Sequence, residues 1–180
     1  MNFLSADNIS KSFGERWLFK NLNFGISQGQ RVALVGVNGS GKTTLLNVLA
    51  GKLPPDGGSV SVRKEVSIGF LGQNPEFDEE LTVQQTIFGG QGDVLDTIRE
   101  YEVAISHPDT SAEVMQQLME RMDELQAWDF EIKVKQILSK LGIHNLEQQI
   151  KHLSGGQRKP VAMAGVLIVV PSMLILDEPT

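Results

Sequence analysis

The first third of the chain alternates. Phe3 to Ile9 and Trp17 to Ile26 mix apolar and polar residues at a spacing near two, which predicts two short strands joined through a Lys11-Ser12-Phe13-Gly14 turn. Val32-Ala33-Leu34-Val35 differs: an unbroken apolar run is the pattern of a strand buried on both faces. Leu45 to Ala50 continues as an apolar helix that Gly51 can end, and Pro54-Pro55-Asp56-Gly57-Gly58 is a dense turn signal. Ser59 to Val62 and Val66 to Leu71 then predict further strands.

From Leu81 to Leu141 the apolar period lengthens to about 3.6. Leu95, Ile98, Glu102 and Ile105 mark one helix, Met115, Leu118, Met122 and Leu125 a second, and Phe130, Val134, Ile137, Leu138 and Leu141 a third. Thr110-Ser111-Ala112-Glu113 matches a capping box for the second, Asp129 is placed to cap the third, Gly142 to end it, and His107-Pro108-Asp109 is the turn between the first two. The methionines in this region read as core filler. Met173-Leu174-Ile175-Leu176 is again the continuous run of a buried strand and ends in Asp177-Glu178.

Chemistry enters between the run at Val32 and the helix at Leu45. Gly36-Val37-Asn38-Gly39-Ser40-Gly41-Lys42-Thr43-Thr44 fits G-x-x-x-x-G-K-[ST], with a strand expected before it and a helix after it. The glycines allow positive φ, so successive N–H groups can turn inward around an anion. The helix start adds unpaired N–H groups and the positive end of a dipole. Lys42 supplies a full charge for the outer phosphates, and the Thr43 hydroxyl is a hard ligand suited to Mg2+. Phe13, with Trp17 as the alternative, is the aromatic placed to lie over a bound base. Gln73 follows a strand directly, where a polar side chain can face a phosphate or a metal. Ser154-Gly155-Gly156-Gln157, after Leu153, is a second candidate anion-binding helix start.

The bulk numbers narrow the picture. With 180 residues, 41% hydrophobic and 21% charged, the chain has the composition of an ordinary globular domain with a real core. A net charge of −6 argues against nucleic-acid binding by bulk electrostatics, and the absence of cysteine removes disulfides and thiolate metal sites. No run approaches the roughly 20 apolar residues of a membrane span. The N-terminus lacks a signal-peptide layout, so direct membrane insertion is not expected and a cytoplasmic setting is.

Taken in order, the motifs resemble the ATP-binding cassette (ABC) ATPases. The resemblance comprises the P-loop at Gly36 to Thr44, the Q-loop residue Gln73, the signature Leu153-Ser154-Gly155-Gly156-Gln157, and the Walker B strand with Asp177 and Glu178. It implies an α/β fold of the P-loop NTPase, ABC nucleotide-binding type: a mixed sheet with an antiparallel N-terminal portion and an inserted helical lobe. The division it suggests is 1–74 for the ATP-binding core, 75–152 for the helical lobe, and 153–180 for the signature helix and Walker B strand returning to the core.

The implied cofactors are ATP and Mg2+. Phe13 would stack on adenine, the amides of Gly36, Asn38, Gly39, Ser40, Gly41 and Thr44 with Lys42 would hold the phosphates, and Thr43, Gln73 and Asp177 would attend the metal. Glu178 would be the general base, with Gln73 sensing the attacking water. In this family two cassettes pair head to tail, so Ser154, Gly155, Gly156 and Gln157 would contact ATP held by the second cassette.

The Ile9 to Gly14 opening and the Trp128 to Gly142 segment look most like Uup-type ABC-F proteins, which act with the ribosome in translation. The alternatives are the ATPase subunit paired with a transmembrane transporter subunit, and a nucleotide-dependent interaction module without turnover. The family's D-loop and switch histidine would lie downstream of the Walker B strand, so the sequence reads as an excised fragment or an incomplete cassette with its C-terminal part missing. Pro160 in the signature helix is expected to kink it, and Val169-Val170 lengthen an aggregation-prone run.

Overall fold

The computed structural model describes residues 1–89 and 92–178. The described residues fall into two compact units, Met1–Pro75 with the segment from Val170 onward, and Glu76–Val169.

In the first unit, β1 (Asn2–Phe13) pairs antiparallel with β2 (Arg16–Ser27) on one edge and with β3 (Gly57–Val62) on the other. The hairpin is longer than the alternation suggests. Lys11, Ser12 and Phe13 are strand residues, opposite Phe19, Trp17 and Arg16, and the turn is Gly14-Glu15. Their polarity disguised them, because β1 shifts register at this end and its side chains no longer alternate cleanly. A second sheet is parallel, β4 (Ile68–Leu71) beside β5 (Met173–Leu176). The architecture is α/β as expected, with the antiparallel N-terminal portion and the parallel strands in separate sheets among the described residues.

Helix α1 (Lys42–Leu49) buries Leu45, Val48 and Leu49 in one apolar cluster with Leu4, Ala6 and Ile9 of β1 and Ile175 of β5. Its C-terminus closes with Gly51 N–H on Val48 O at 3.1 Å and Lys52 N–H on Asn47 O at 2.9 Å, the paired bonds of a Schellman motif.

One strand is not formed. Val32–Val35 carries no strand pairing, and Val35 is 90% exposed. A run buried on both faces needs a ladder neighbour to hold it, and none reaches it among the described residues; Val32 and Leu34 instead share a cavity of about 850 Å³ with α1 and β5. In β5 only Ile175 and the following Asp177 are fully buried, so that run is less enclosed than its composition suggests.

The second unit is helical: α2 (Val83–Phe88), α3 (Gly92–Ser106), α4 (Ala112–Glu124), α5 (Phe130–Lys140), a 3-10 turn at Ile150–His152, and α6 (Gly155–Ile168). Its core joins Val83 and Ile87 of α2, Phe130, Val134 and Leu138 of α5, Ile150, Leu153, and Val161, Ala164 and Ile168 of α6. Helix α6 therefore belongs to this unit, whereas the sequence reading grouped it with the returning core, because its one apolar stripe is spent on α2 and α5.

Four local expectations shift. Helix α2 was not anticipated, although Thr82-Val83-Gln84-Gln85 forms a full capping box at its start. The cap of α4 is Ser111, which accepts from Val114 N–H at 3.3 Å, while the Thr110 hydroxyl donates to Ala104 O and His107 O. Asp129 occupies the N-cap of α5 without a side-chain bond. On α3 the buried residues are Thr97 and Ala104, and Ile105 is 59% exposed. Thr97 hides because its hydroxyl donates to Asp93 O at 2.7 Å, which removes the polar cost of burial. At the end of α5, Gly142 and Ile143 N–H bond to Ser139 and Leu138 O, again a Schellman pair.

Helix α6 runs unbroken through Pro160. The missing N–H forfeits a single bond, to Gly156 O, one turn from the start. Val170, just beyond the helix, sits at φ +49, an outlier for a β-branched residue.

Candidate nucleotide site

The P-loop wraps the start of α1. Ser40 N–H bonds to Val37 O at 3.2 Å, closing a turn, and Gly41 is the N-cap at φ +94. Gly41 sits at φ +94, where a Cβ would also meet Leu18 Cβ at 3.0 Å, so that position requires glycine; a Cβ at Gly36 would meet only the rotatable Ser40 Oγ, at 2.8 Å.

The first bond of the helical ladder is donated by Leu45 to Gly41 O at 2.8 Å. The N–H groups of Lys42, Thr43 and Thr44 precede that ladder, no side chain caps the helix, and no acidic residue stands in its first turn. Such a start attracts an anion. Lys42 Nζ donates to Gly36 O at 2.9 Å and Val37 O at 3.1 Å, so the loop's own carbonyls hold the charge at its mouth.

A cleft of about 600 Å³ opens here, lined by Asn38, Gly39, Gly41, Lys42, Thr43, Thr44, Gln73 and Glu178, with Phe13, Arg16 and Leu18 from the hairpin. Phe13 is 82% exposed at the hairpin tip and lines the cleft; Trp17, the alternative, does not, and its ring carries Lys20 Nζ at 5.0 Å from the centroid. Gln73 and Glu178, distant in sequence, are brought together by parallel pairing of β4 with β5, and Gln73 Nε2 donates to Glu178 Oε2 at 2.7 Å. Glu178 holds a left-handed backbone at φ +48, a strain of about 1 kcal/mol. Gly36 and Ser40 face each other within the loop and do not line the cleft.

Asp177 is 2% exposed, its N–H bonds to Leu71 O at 2.9 Å, and its Oδ2 is buried without a hydrogen-bond partner. An orphaned carboxylate oxygen is costly unless a cation completes it. The described residues contain no cluster of three or more His, Asp or Glu able to hold a metal by themselves. Asp177 does not line the cleft, but its orphaned oxygen and the cleft's Thr43 hydroxyl are both hard oxygen donors of the kind Mg2+ takes, an ion that uses few protein ligands and shares phosphate oxygens.

The hairpin tip is anchored from behind. Asp56 accepts from Lys11 Nζ at 2.6 Å and from Ser12 N and Oγ at 2.8 Å each. The Lys11 ammonium and the Ser12 donors hold its carboxyl at about 2, well under the ordinary 3.8. These bonds fix the residues that precede Phe13.

In the second unit, Ser154 caps α6. Its N–H and hydroxyl both donate to Gln157 Oε1 at 2.9 Å, so the predicted signature side chains engage each other. Arg158, next along, forms a bidentate pair with Glu79 at 2.6 and 2.8 Å, which lowers the Glu79 carboxyl. Gly155 and Gly156 open the helix with nothing near their Cβ positions. No helix among the described residues is long and apolar enough to cross a membrane.

The fold and the cleft define a P-loop nucleotide-binding cassette with a helical unit inserted in its sequence. The family model described as ABC transporter matches residues 19–180, and the chain belongs to that family of ATP-binding ATPase cassettes. The uncharacterized ABC transporter ATP-binding protein YfmR of Bacillus subtilis is 39% identical, aligned with all of this chain and 30% of its own length. The energy-dependent translational throttle protein EttA of Mycobacterium tuberculosis is 30% identical over 96% of the chain and 32% of its own length. The ATP-binding protein Uup of Haemophilus influenzae is 30% identical over 100% and 28% respectively. The chain thus spans about a third of the length of the curated relatives it matches.

Among solved structures, a nucleotide-free ATP-binding cassette from an ABC transporter superposes with a TM-score of 0.64 at 27% identity, covering 100% of this chain and 70% of its own. An ATP-binding subunit of an ABC transporter reaches 0.67 at 19% identity, covering 98% and 66%, a likeness of fold.

Sequence reasoning missed Arg16 and Leu18. Proximity to the aromatic candidate was the available signal, since both lie within five residues of Phe13.

Proposed function

We propose that this chain is a Mg-ATP-binding cassette that hydrolyses ATP when paired head to tail with a second cassette, and that turnover drives a conformational switch on a macromolecular partner. The observation that carries the reading is the single cleft in which Phe13, Lys42, Thr43, Gln73 and Glu178 meet at an uncapped helix start.

Phe13 stacks on the base. The N–H groups of the loop and of Lys42 to Thr44 surround the β- and γ-phosphates, and Lys42 exchanges its two carbonyl partners for phosphate oxygens, the stronger charge-assisted bond. Thr43 and Asp177 would hold Mg2+, which when bound would offset phosphate charge. Gln73 donates to Glu178 and so fixes the carboxylate that accepts a proton from the attacking water. In the paired state Ser154, Gly155, Gly156 and Gln157 give up their local bonds to contact the nucleotide of the other cassette.

Similarity to EttA, whose name describes a translational throttle, supports a soluble ABC-F role at the ribosome. The nucleotide-free cassette from an ABC transporter among the solved structures supports the second reading, an ATPase subunit coupled to a membrane partner. Calorimetric titration of Mg-ATP into the purified chain tests the common core: micromolar binding that falls at least 100-fold in Lys42→Ala is expected, and equal affinity in the variant contradicts it.

A further inference from the structure

Arg16 has no role in the reading above. It lines the nucleotide cleft, and its guanidinium has no hydrogen-bond or ion-pair partner among the described residues. Lys11 is engaged by Asp56, Arg63 by Glu65 and Lys42 by the loop carbonyls, and of the remaining cations Lys20, Arg31, Lys52 and Lys64 none lines this cleft. Arg16 is also the cross-strand partner of Phe13 at the last pair of the hairpin. Directly opposed residues of an antiparallel pair point to the same face, about 5 Å apart. An aromatic face and a guanidinium fork therefore project from one face of the hairpin tip, and both residues line the cleft.

We propose that Arg16 binds the nucleotide's innermost phosphate, the one joined to the ribose, while Lys42 serves the outer ones. The inference rests on the Mg-ATP reading of the same cleft. A guanidinium suits the task because its planar donors match two phosphate oxygens at once and its charge is permanent. A free cation beside the base-stacking ring selects nucleotides over nucleosides before the outer phosphates are seated. It also makes affinity depend on a phosphate that ATP, ADP and AMP share.

The test titrates ATP, ADP and AMP into the purified chain and its Arg16→Gln, Arg16→Lys and Lys42→Ala variants, with melting temperatures recorded for each. Arg16→Gln is expected to weaken all three ligands by a similar factor of about ten, and Arg16→Lys to recover part of the loss without the bidentate contact. Lys42→Ala should weaken ATP and ADP far more than AMP. Unchanged affinities in Arg16→Gln at unchanged melting temperature would overturn the proposal, as would a loss confined to ATP. Absence of binding by the parent chain is a different failure: it removes the Mg-ATP reading and this inference with it.

Discussion

Two helices of this molecule begin with glycine-rich turns, and they end up in opposite electrostatic states. Helix α1 starts at Gly41 with no side-chain cap, and the nearby Lys42 is held only by backbone carbonyls. Helix α6 starts at Ser154, whose polar groups are tied to Gln157, and the adjacent Arg158 is neutralised by Glu79. Positive helix ends are common; what distinguishes a ready site is that nothing in the protein has already satisfied it. The α1 start can take an anion as it stands. The α6 start must first break bonds of its own, which suits a surface that acts only when a second nucleotide-loaded cassette arrives.

Gly41→Ala should break the contrast most severely. A side chain at φ +94 with its Cβ 3.0 Å from Leu18 Cβ displaces the loop, so ATP binding should fall at least 100-fold and unfolding in urea should lose about 2 kcal/mol. Gly155→Ala meets nothing within 4 Å and should change stability by under about 1 kcal/mol, leaving ATP affinity of the single chain intact.

Glu178→Gln sharpens the functional half. In the complete paired protein it should cut turnover by about 100-fold or more while ATP binding survives, as read by phosphate release beside calorimetry. Ser154→Ala removes the N-cap side chain and its hydroxyl bond to Gln157 Oε1, and the cost of about 1 kcal/mol should appear in thermal unfolding with no change in ATP affinity of the single chain.

The smallest effect concerns the anchor of the hairpin tip. The Asp56 carboxyl titrates near 2 in the folded chain against an ordinary 3.8, so its contribution is complete above about pH 4 and disappears as the pH falls through 2. Lys11 and Ser12 amide protection against hydrogen exchange should weaken across that window, and Asp56→Asn should abolish the pH dependence.

How much of this could be read from the chain depended on where the determinants lie. The P-loop was legible because Gly36 to Thr44 is contiguous and each residue type has a local reason to be there. Gln73 and Glu178 were legible as strand-end polar residues, but their 2.7 Å bond is a product of β4–β5 pairing. The Val32–Val35 strand failed because composition reports a wish for burial and pairing decides whether it is granted. The face of α3 was misplaced because Thr97 counts as polar in a pattern yet is sealed by a bond to its own backbone. Arg16 looked like an ordinary turn charge until the register set it across from Phe13.

One glycine-rich helix start is open to an anion, and the other is engaged by its own side chains. Backbone amide NMR of the chain at dilute, monomeric concentration, before and after Mg-ATP, addresses it residue by residue. Large shifts are expected for Gly39 to Thr44 and none for Gly155 to Gln157. Shifts at the α6 start with the P-loop amides unmoved would contradict it.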